Sequence, residues 1–309
     1  MPKVSIIVPN YNYVRYLPKR IESIVQQTYT DYEIILLDDC STDDSQTYLE
    51  ECAKHPQVSH LIINSQNTGS PFAQWEKGIA LAQGEYIWIA ESDDYSSVDF
   101  LEHSVRVLDE NPQVAFTLCG SHIVDENGTL QDRNYDPWPL DANNGNVSII
   151  PSAKYLKGLF YHNTAYNASM IVFRKNIYNL IKEKPYTTMR YCGDWLFWIK
   201  MAEQGDVALR QERSNYYRRH SKCVTITAQK EKQLEERLSI YCYLWQQKIF
   251  WGIEKCISKG FVYKTIIRSE ISQEAKEKTL SKMRETEGIT TIDYIIERIA
   301  KSLYPHSQH

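Results

Sequence analysis

None of the twelve glycines in this sequence is spaced as G-x-G, and no G-x-x-x-x-G-K-[ST] phosphate loop occurs. The glycine-rich dinucleotide and P-loop fingerprints are therefore excluded. A phosphorylated ligand, if bound, must be held by other means, and a divalent metal on carboxylates is the obvious one. A basic surplus is also lacking: 35 Lys and Arg stand against 39 Asp and Glu, a formal charge of -4. That balance argues against nucleic acid as a partner. The cysteines form an odd set of seven without a C-x-x-C pair, so neither a disulfide framework nor a zinc site is indicated. Free thiols in a reducing compartment fit best. No apolar stretch approaches the ~18 residues that cross a bilayer. The run Val4–Val8 is too short for a signal-peptide core, and a cytoplasmic location is expected.

What is present is a globular pattern, with 42% hydrophobic and 24% charged residues over 309 positions, enough for one large or two modest cores. Tyrosine is abundant at 22 residues, a side chain suited to stacking on sugars and bases and equally to half-buried packing. Through the first third, short apolar runs (Val4–Val8, Glu33–Leu37, His60–Ile63, Tyr86–Ala90) read as buried strands. Between them lie helical faces made by Leu17, Ile21, Ile24 and Val25, by Ser45 to Lys54, and by Phe72, Trp75, Ile79 and Ala82. Alternation of this kind predicts an α/β fold with right-handed crossovers, a mostly parallel sheet, and ligands at the carboxyl ends of the strands. A helix near Val98–Leu108 and a strand over Val114–Cys119 follow. From Gly120 to Gly145 the Asn, Asp, Gly and Pro content, with Asp136-Pro137-Trp138-Pro139 inside it, reads as loop. A helix near Trp195–Gln204 precedes the polar run Tyr216 to His220, and the last 80 or so residues carry helical periodicity.

Three strand ends carry chemistry. The first leads into Pro9-Asn10-Tyr11-Asn12, where Tyr11 is placed to stack on a base; turn packing is the plain alternative. The second ends in Asp38-Asp39-Cys40-Ser41-Thr42-Asp43, and a carboxylate there accepts a ring N–H of uracil, thymine or guanine; helix capping is the competing role, better suited to Thr42 and Asp43. The fourth ends in Glu91-Ser92-Asp93-Asp94, an oxygen-rich cluster of the kind Mg2+ or Mn2+ prefers, against which stands a solvated turn. A ring, an acceptor and a carboxylate cluster at neighbouring strand ends are more telling together than singly.

These segments, Val4 to Asn12, Asp38 to Asp43, Gly84 to Ile87 and Ser92 to Asp94, resemble in order the successive motifs of the family 2 glycosyltransferases, which have the GT-A fold. The likeness is strong over residues 3 to 120. It implies a GT-A domain over 1–225, with 1–120 binding a nucleotide sugar and 121–225 on the acceptor side, and a helical region over 226–309. It further implies an inverting, metal-dependent transferase using Mn2+ or Mg2+. A UDP-sugar is the expected donor, ahead of GDP- and dTDP-sugars. The acceptor expected is a glycan or glycolipid hydroxyl of a bacterial surface polysaccharide or lipopolysaccharide. By the same resemblance Pro9, Tyr11, Asn12, Asp39 and Asp93 bind the nucleotide, Asp94 the metal, and Asp194, in Gly193-Asp194-Trp195, is the catalytic base; a helix-dipole role is the alternative for Asp194. In Tyr217-Arg218-Arg219-His220 the His is a metal candidate and Arg218 and Arg219 are phosphate candidates, with an exposed basic loop as the alternative. The chain departs from the family where many members have Ala-Arg-Asn: it has Ala73-Gln74-Trp75, which puts donor contacts from that helix in doubt. Lys248, Lys255, Lys259, Lys264 and Arg268, interleaved with Phe250, Trp251, Phe261 and Tyr263, suit peripheral contact with the inner membrane or simply a solvated helix face. Oligomer formation stays open, as do two other classes, a sugar-nucleotide nucleotidylyltransferase and a non-catalytic glycan- or nucleotide-binding protein.

Overall fold

Residues 1–135, 147–220 and 229–303 are described by the computed structural model. Along the first of these segments run β1 (Val4–Asn10), α1 (Leu17–Val25), β2 (Tyr32–Asp38), α2 (Ser45–Cys52), β3 (Val58–Ile63), α3 (Pro71–Leu81), β4 (Tyr86–Ile89), β5 (Tyr95–Ser96), α4 (Phe100–Glu110), β6 (Val114–Val124) and β7 (Leu130–Tyr135). Next come β8 (Val147–Ile150), α5 (Ser152–Tyr161), β9 (Ile171–Arg174), α6 (Lys175–Tyr178), α7 (Gly193–Ala202) and β10 (Asp206–Arg218). The last segment holds α8 (Lys230–Gln246), α9 (Gly252–Arg268), α10 (Gln273–Glu287) and α11 (Thr291–Leu303).

The strands form one sheet in the order β3-β2-β1-β4-β9-β6-β10-β5, with β7 on β6 and β8 on β10. β1, β2 and β4 are buried on both faces, which is why they read as continuous apolar runs rather than as alternation. β1 pairs in parallel with β2 and β4. The chain leaves β1 toward β2 and β3 on one side and reaches β4 on the other, so the crevice between β1 and β4 is the switch point at which open α/β sheets bind ligands. Beyond β4 the sheet is mixed, since β9 runs antiparallel to both β4 and β6. Helix α3 lies tight on β1: a Cβ on Gly78 would fall 2.4 Å from Ile7 Cγ2, so this position has no room for a side chain.

Residues 120–135, expected as loop, are instead largely strand. β6 continues through Gly120 to Val124, pairs with β10, and turns at Asp125–Thr129 into β7. Gly128 takes the turn with φ +88, a conformation open to glycine. Asp136-Pro137-Trp138-Pro139 lies outside the described residues, as does Cys223.

The chain divides into two compact units. The first comprises 1–152, 164–188 and 193–220, and the second 153–163, 189–192 and 221–309. In the second, Phe160 of α5 meets Tyr241 of α8 and Phe250, each at 4.8 Å between ring centroids, and Glu236 accepts the backbone N–H groups of Arg190, Tyr191 and Cys192. Phe250 and Lys264 of the basic, aromatic stretch are buried, while Trp251 is exposed. That stretch is therefore not one solvent face.

Candidate functional site

Three loops at the carboxyl ends of β1, β2 and β4 are stitched to one another by polar side chains. Asn10, paired in register with Asp38, donates to its carboxylate at 2.8 Å. Asn12, with φ +58, turns its amide oxygen to accept from the Thr42 and Asp43 N–H groups at 2.7 and 3.3 Å; Asn is among the few non-glycine residues that tolerate this region. Ser92 Oγ donates to the carbonyl of Pro9 at 2.6 Å. Tyr11 sits between these anchors and is 44% exposed, on a loop whose backbone is fixed on both sides.

Asp39 is buried and surrounded by donors. Its Oδ1 accepts from Asn64 Nδ2 at 2.7 Å, Gln74 Nε2 at 2.8 Å and Thr68 N at 3.0 Å, and its Oδ2 from Thr68 Oγ1 at 2.8 Å. Gln74, at the place where the family pattern has Arg, is thus a direct neighbour of the candidate base reader. Its own Oε1 is buried without a partner.

After β4, Glu91, Asp93 and Asp94 crowd three carboxylates into four positions. Burial, reinforced by the charge of Asp93, pushes the Glu91 carboxyl up to about 8, and burial with Asp93 raises Asp94 likewise. Asp94 accepts from the Arg218 N–H at 2.9 Å and from Asn167 Nδ2. Asp93 is half-buried, with His220 Nε2 3.1 Å from its Oδ2. Beneath lies Arg20, fully buried, donating to the Glu91 carbonyl at 2.8 Å and to Ser169 Oγ at 3.0 Å. Burial lowers its pKa to about 10 against the pull of the three carboxylates, and it stays charged at neutral pH. Of the two arginines in the polar run, Arg218 is buried, lies over the rings of Tyr16 and Tyr95, and spends its guanidinium on the carbonyls of Asp93, Asp125 and Glu126. Arg219 is the exposed one.

Crowded carboxylates whose ionisation is opposed by their neighbours are relieved by a cation, and their oxygen donors suit Mg2+ or Mn2+. Among the described residues no trio of His, Cys, Asp or Glu is assembled as a metal cage. The set therefore fits an ion that takes one or two protein ligands and fills its other positions from phosphate and water.

Asp194 stands in the first turn of α7, in the same unit as the strand-end loops. The start of that helix is fixed by Gly193, where a Cβ would fall 2.5 Å from the Phe72 ring and 2.7 Å from the Tyr186 carbonyl. Phe72 belongs to α3, whose next residues reach the strand-end loops: Gln74 donates to Asp39 and Trp75 Nε1 donates to Glu91 at 2.9 Å. Glu76 accepts from the hydroxyls of Tyr178 and Tyr186, each at 2.7 Å, tying down the segment that leads to α7.

This constellation has relatives. The family model described as Glycosyl transferase family 2 matches residues 5–181. The chain belongs to that family. It is 29% identical over 228 residues to an uncharacterized glycosyltransferase of Haemophilus influenzae, covering 71% of this chain and 66% of that one. Over 141 residues it is 33% identical to the chondroitin synthase of Escherichia coli, covering 45% of this chain and 20% of that one. The chain thus spans no more than about two thirds of the length of these curated relatives. In fold it is similar to Staphylococcus aureus TarS in complex with UDP-GlcNAc (TM-score 0.61, 16% identity, 96% of this chain and 78% of that one). It is also similar to the mannosyltransferase PcManGT of Pyrobaculum calidifontis in complex with GDP-Man and Mn2+ (TM-score 0.56, 15% identity, 99% and 88%). The α/β fold with C-terminal helices is the GT-A fold of this family.

Tyr11, Asn12, Asp39, Asp93, Asp94 and His220 thus gather at one edge of the sheet, and Pro9 contributes through its backbone. Sequence reasoning passed over Arg20, Asn64, Thr68, Asn167 and Ser169. A charged residue at position 20 within the apolar spacing of Leu17, Ile21 and Ile24 was the one visible signal for any of them.

Proposed function

We propose that the chain is an inverting glycosyltransferase that moves a sugar from a UDP-sugar to an acceptor hydroxyl of a cell-surface glycan or glycolipid, aided by Mn2+ or Mg2+. The observation that carries this reading is the meeting, in a family 2 chain, of an exposed ring at Tyr11, a donor-lined carboxylate at Asp39 and the Asp93–Asp94 pair at the ends of β1, β2 and β4. In this scheme Tyr11 stacks on the base and Asp39 accepts its ring N–H. The amide hydrogens of Asn64 and Gln74 beside Asp39 suit the carbonyl oxygens that flank that N–H in uracil. Asp93 meets the ribose. Asp94 would hold the ion, with His220 beside Asp93 as a second candidate ligand, and the ion would supply charge neutralisation for the leaving diphosphate. Arg219, the exposed arginine, is the proposed phosphate contact, while Arg218 orders the loop.

Asp194 takes the proton of the acceptor hydroxyl as that oxygen attacks the anomeric carbon from the face opposite the leaving group. Likeness to the S. aureus protein solved with UDP-GlcNAc supports the donor class, and likeness to one solved with GDP-Man and Mn2+ supports the ion. Likeness to the poly(ribitol-phosphate) β-N-acetylglucosaminyltransferase TarS, 33% identical over 117 residues, supports a surface-polymer acceptor; our scheme has the chain meet that acceptor at the inner membrane. Screening nucleotide sugars for thermal stabilisation and slow hydrolysis, with Mn2+ or with EDTA, tests donor and ion together. UDP-sugars should stabilise and turn over only with metal, and Asp94→Ala should lose that dependence and the activity. Full turnover in EDTA, or a product that retains the donor's anomeric configuration, overturns the scheme.

A further inference from the structure

Helix α11 is turned inside out. Its acidic residues, Asp293 and Glu297, are buried, while Ile292, Ile295, Ile299 and Leu303 are 67%, 52%, 55% and 67% exposed. The inversion has a clear cause in α9. Gly260 lets the helices close until a Cβ there would meet the Asp293 carbonyl at 2.2 Å. Lys264, itself buried, pairs with Glu297 at 2.7 Å, and Tyr263 stacks on Tyr294 at 5.4 Å. A buried ion pair and a ring stack thus hold the polar side inward. At 3.6 residues per turn the four exposed aliphatic residues fall within about 80° of one another, a continuous stripe three turns long.

We infer that this stripe of α11 docks the second unit onto an anionic lipid surface, lying in the plane of the headgroups. An unbroken apolar stripe on a helix calls for a cover, and charge decides which. With both acids covered, the exposed charges of α11 are Arg298 and Lys301. Residues 229–303 carry fourteen Lys and Arg against eleven Asp and Glu, in a chain that is negative as a whole. A basic unit with an apolar helix face matches negatively charged headgroups over acyl chains. A second copy fits less well. Four aliphatic side chains cover roughly 400 Å2, about half of what one partner of a stable pair contributes.

The proposal rests on the membrane-facing part of the functional reading above, and its test is separate from the sugar chemistry. The full chain is sedimented with vesicles of pure phosphatidylcholine and with vesicles containing about one third phosphatidylglycerol. It should pellet with the anionic vesicles, less so at high salt. The double variant Ile295→Glu, Ile299→Glu, whose changes sit on exposed positions and should leave the circular dichroism spectrum intact, should lose about tenfold or more of that partitioning. Equal partitioning of the variant overturns the assignment. So does a wild-type chain that stays in the supernatant, and so does a dimer in analytical ultracentrifugation that the variant dissociates without any vesicle binding. Calorimetry of UDP in vesicle-free buffer reports on the donor reading independently, and the variant should leave it unchanged.

Discussion

Replacing Asp39 by asparagine keeps the shape of the side chain and changes one oxygen into a donor, in a pocket whose visible neighbours all donate. Oδ1 receives three of them, Asn64, Gln74 and Thr68 N, so the asparagine must keep its oxygen there and turn its NH2 toward Thr68. The Thr68 hydroxyl can rotate to accept, but the Thr68 N–H loses its second contact at 3.1 Å. The three surviving bonds also lose charge assistance, which is worth about half their strength. Hydrogen bonds to a buried charge contribute about 1.5–3 kcal/mol each, so the expected loss of folding stability is roughly 2–4 kcal/mol, a sizeable part of the ~5–15 kcal/mol that holds a domain together. Nucleotide binding should suffer separately. A ring N–H that seeks the Asp39 carboxylate would meet an amide in its place, which should weaken UDP by about 10- to 100-fold. Urea unfolding and calorimetry with UDP read the two effects independently. If stability and affinity both stay within a few tenths of a kcal/mol of wild type, Asp39 is neither the hub of this pocket nor the reader of the base.

Asp194→Asn should lower kcat by about 10^2 to 10^4 while leaving donor affinity nearly unchanged, and near-normal steady-state transfer would remove it from the mechanism. Gly193→Ala, which thrusts a methyl at the Phe72 ring and the Tyr186 carbonyl, should cost about 1–3 kcal/mol of stability in a urea melt and lower kcat through displacement of the residue that follows. Glu91 is held protonated in the fold, its pKa raised from 4.5 to about 8. The native state therefore binds more protons than the unfolded chain between those values, and the stability conferred below pH 4.5 is lost as pH rises toward 8. Glu91→Gln, which keeps the acceptor for Trp75, should gain on the order of 1–2 kcal/mol over wild type at pH 8.5 and nothing at pH 4 in metal-free urea titrations; a pH-independent difference would count against a protonated Glu91.

The part of the sheet made by β1, β2 and β4 was legible because these strands are buried on both faces and announce themselves as apolar runs. Expected Val4–Val8 became Val4–Asn10 and expected Glu33–Leu37 became Tyr32–Asp38. Each gained the polar ends that carry the site, since polar residues at a strand's carboxyl end break the run that marks the strand. The part of the sheet beyond β4 was not legible in the same way. β6 was seen only to Cys119, because Gly120, Ser121 and His122 look like turn residues. What makes them strand is β10 alongside, with Asn215 donating to Ser121 at 2.8 Å, a partner 94 residues away. Arg20 and Asn167 were missed for the same reason. Their roles come from burial beside Glu91 and Asp94, and no local pattern encodes a carboxylate's distant counterpart. Gln74 was noticed as a departure from the family's motif, but that it faces Asp39 was not legible from position.

Consecutive residues of α3 answer to different masters: Gln74 to Asp39, Trp75 to Glu91, and Glu76 to Tyr178 and Tyr186, with Gly78 pressed on Ile7. A helix held this way has no easy rotation or slide, because any screw motion that eases one contact breaks the others. With Asp39 as the proposed reader of the base, exchange of the nucleotide is consequently not a one-residue matter. A new side chain at position 74 that shifts the helix also shifts its contact with Glu91 and with the segment that seats α7. Laboratory re-targeting of the donor should succeed by transplanting residues 71–81 together with their contacts at 64, 68, 178 and 186, where piecemeal substitution at position 74 yields folded chains with slow transfer.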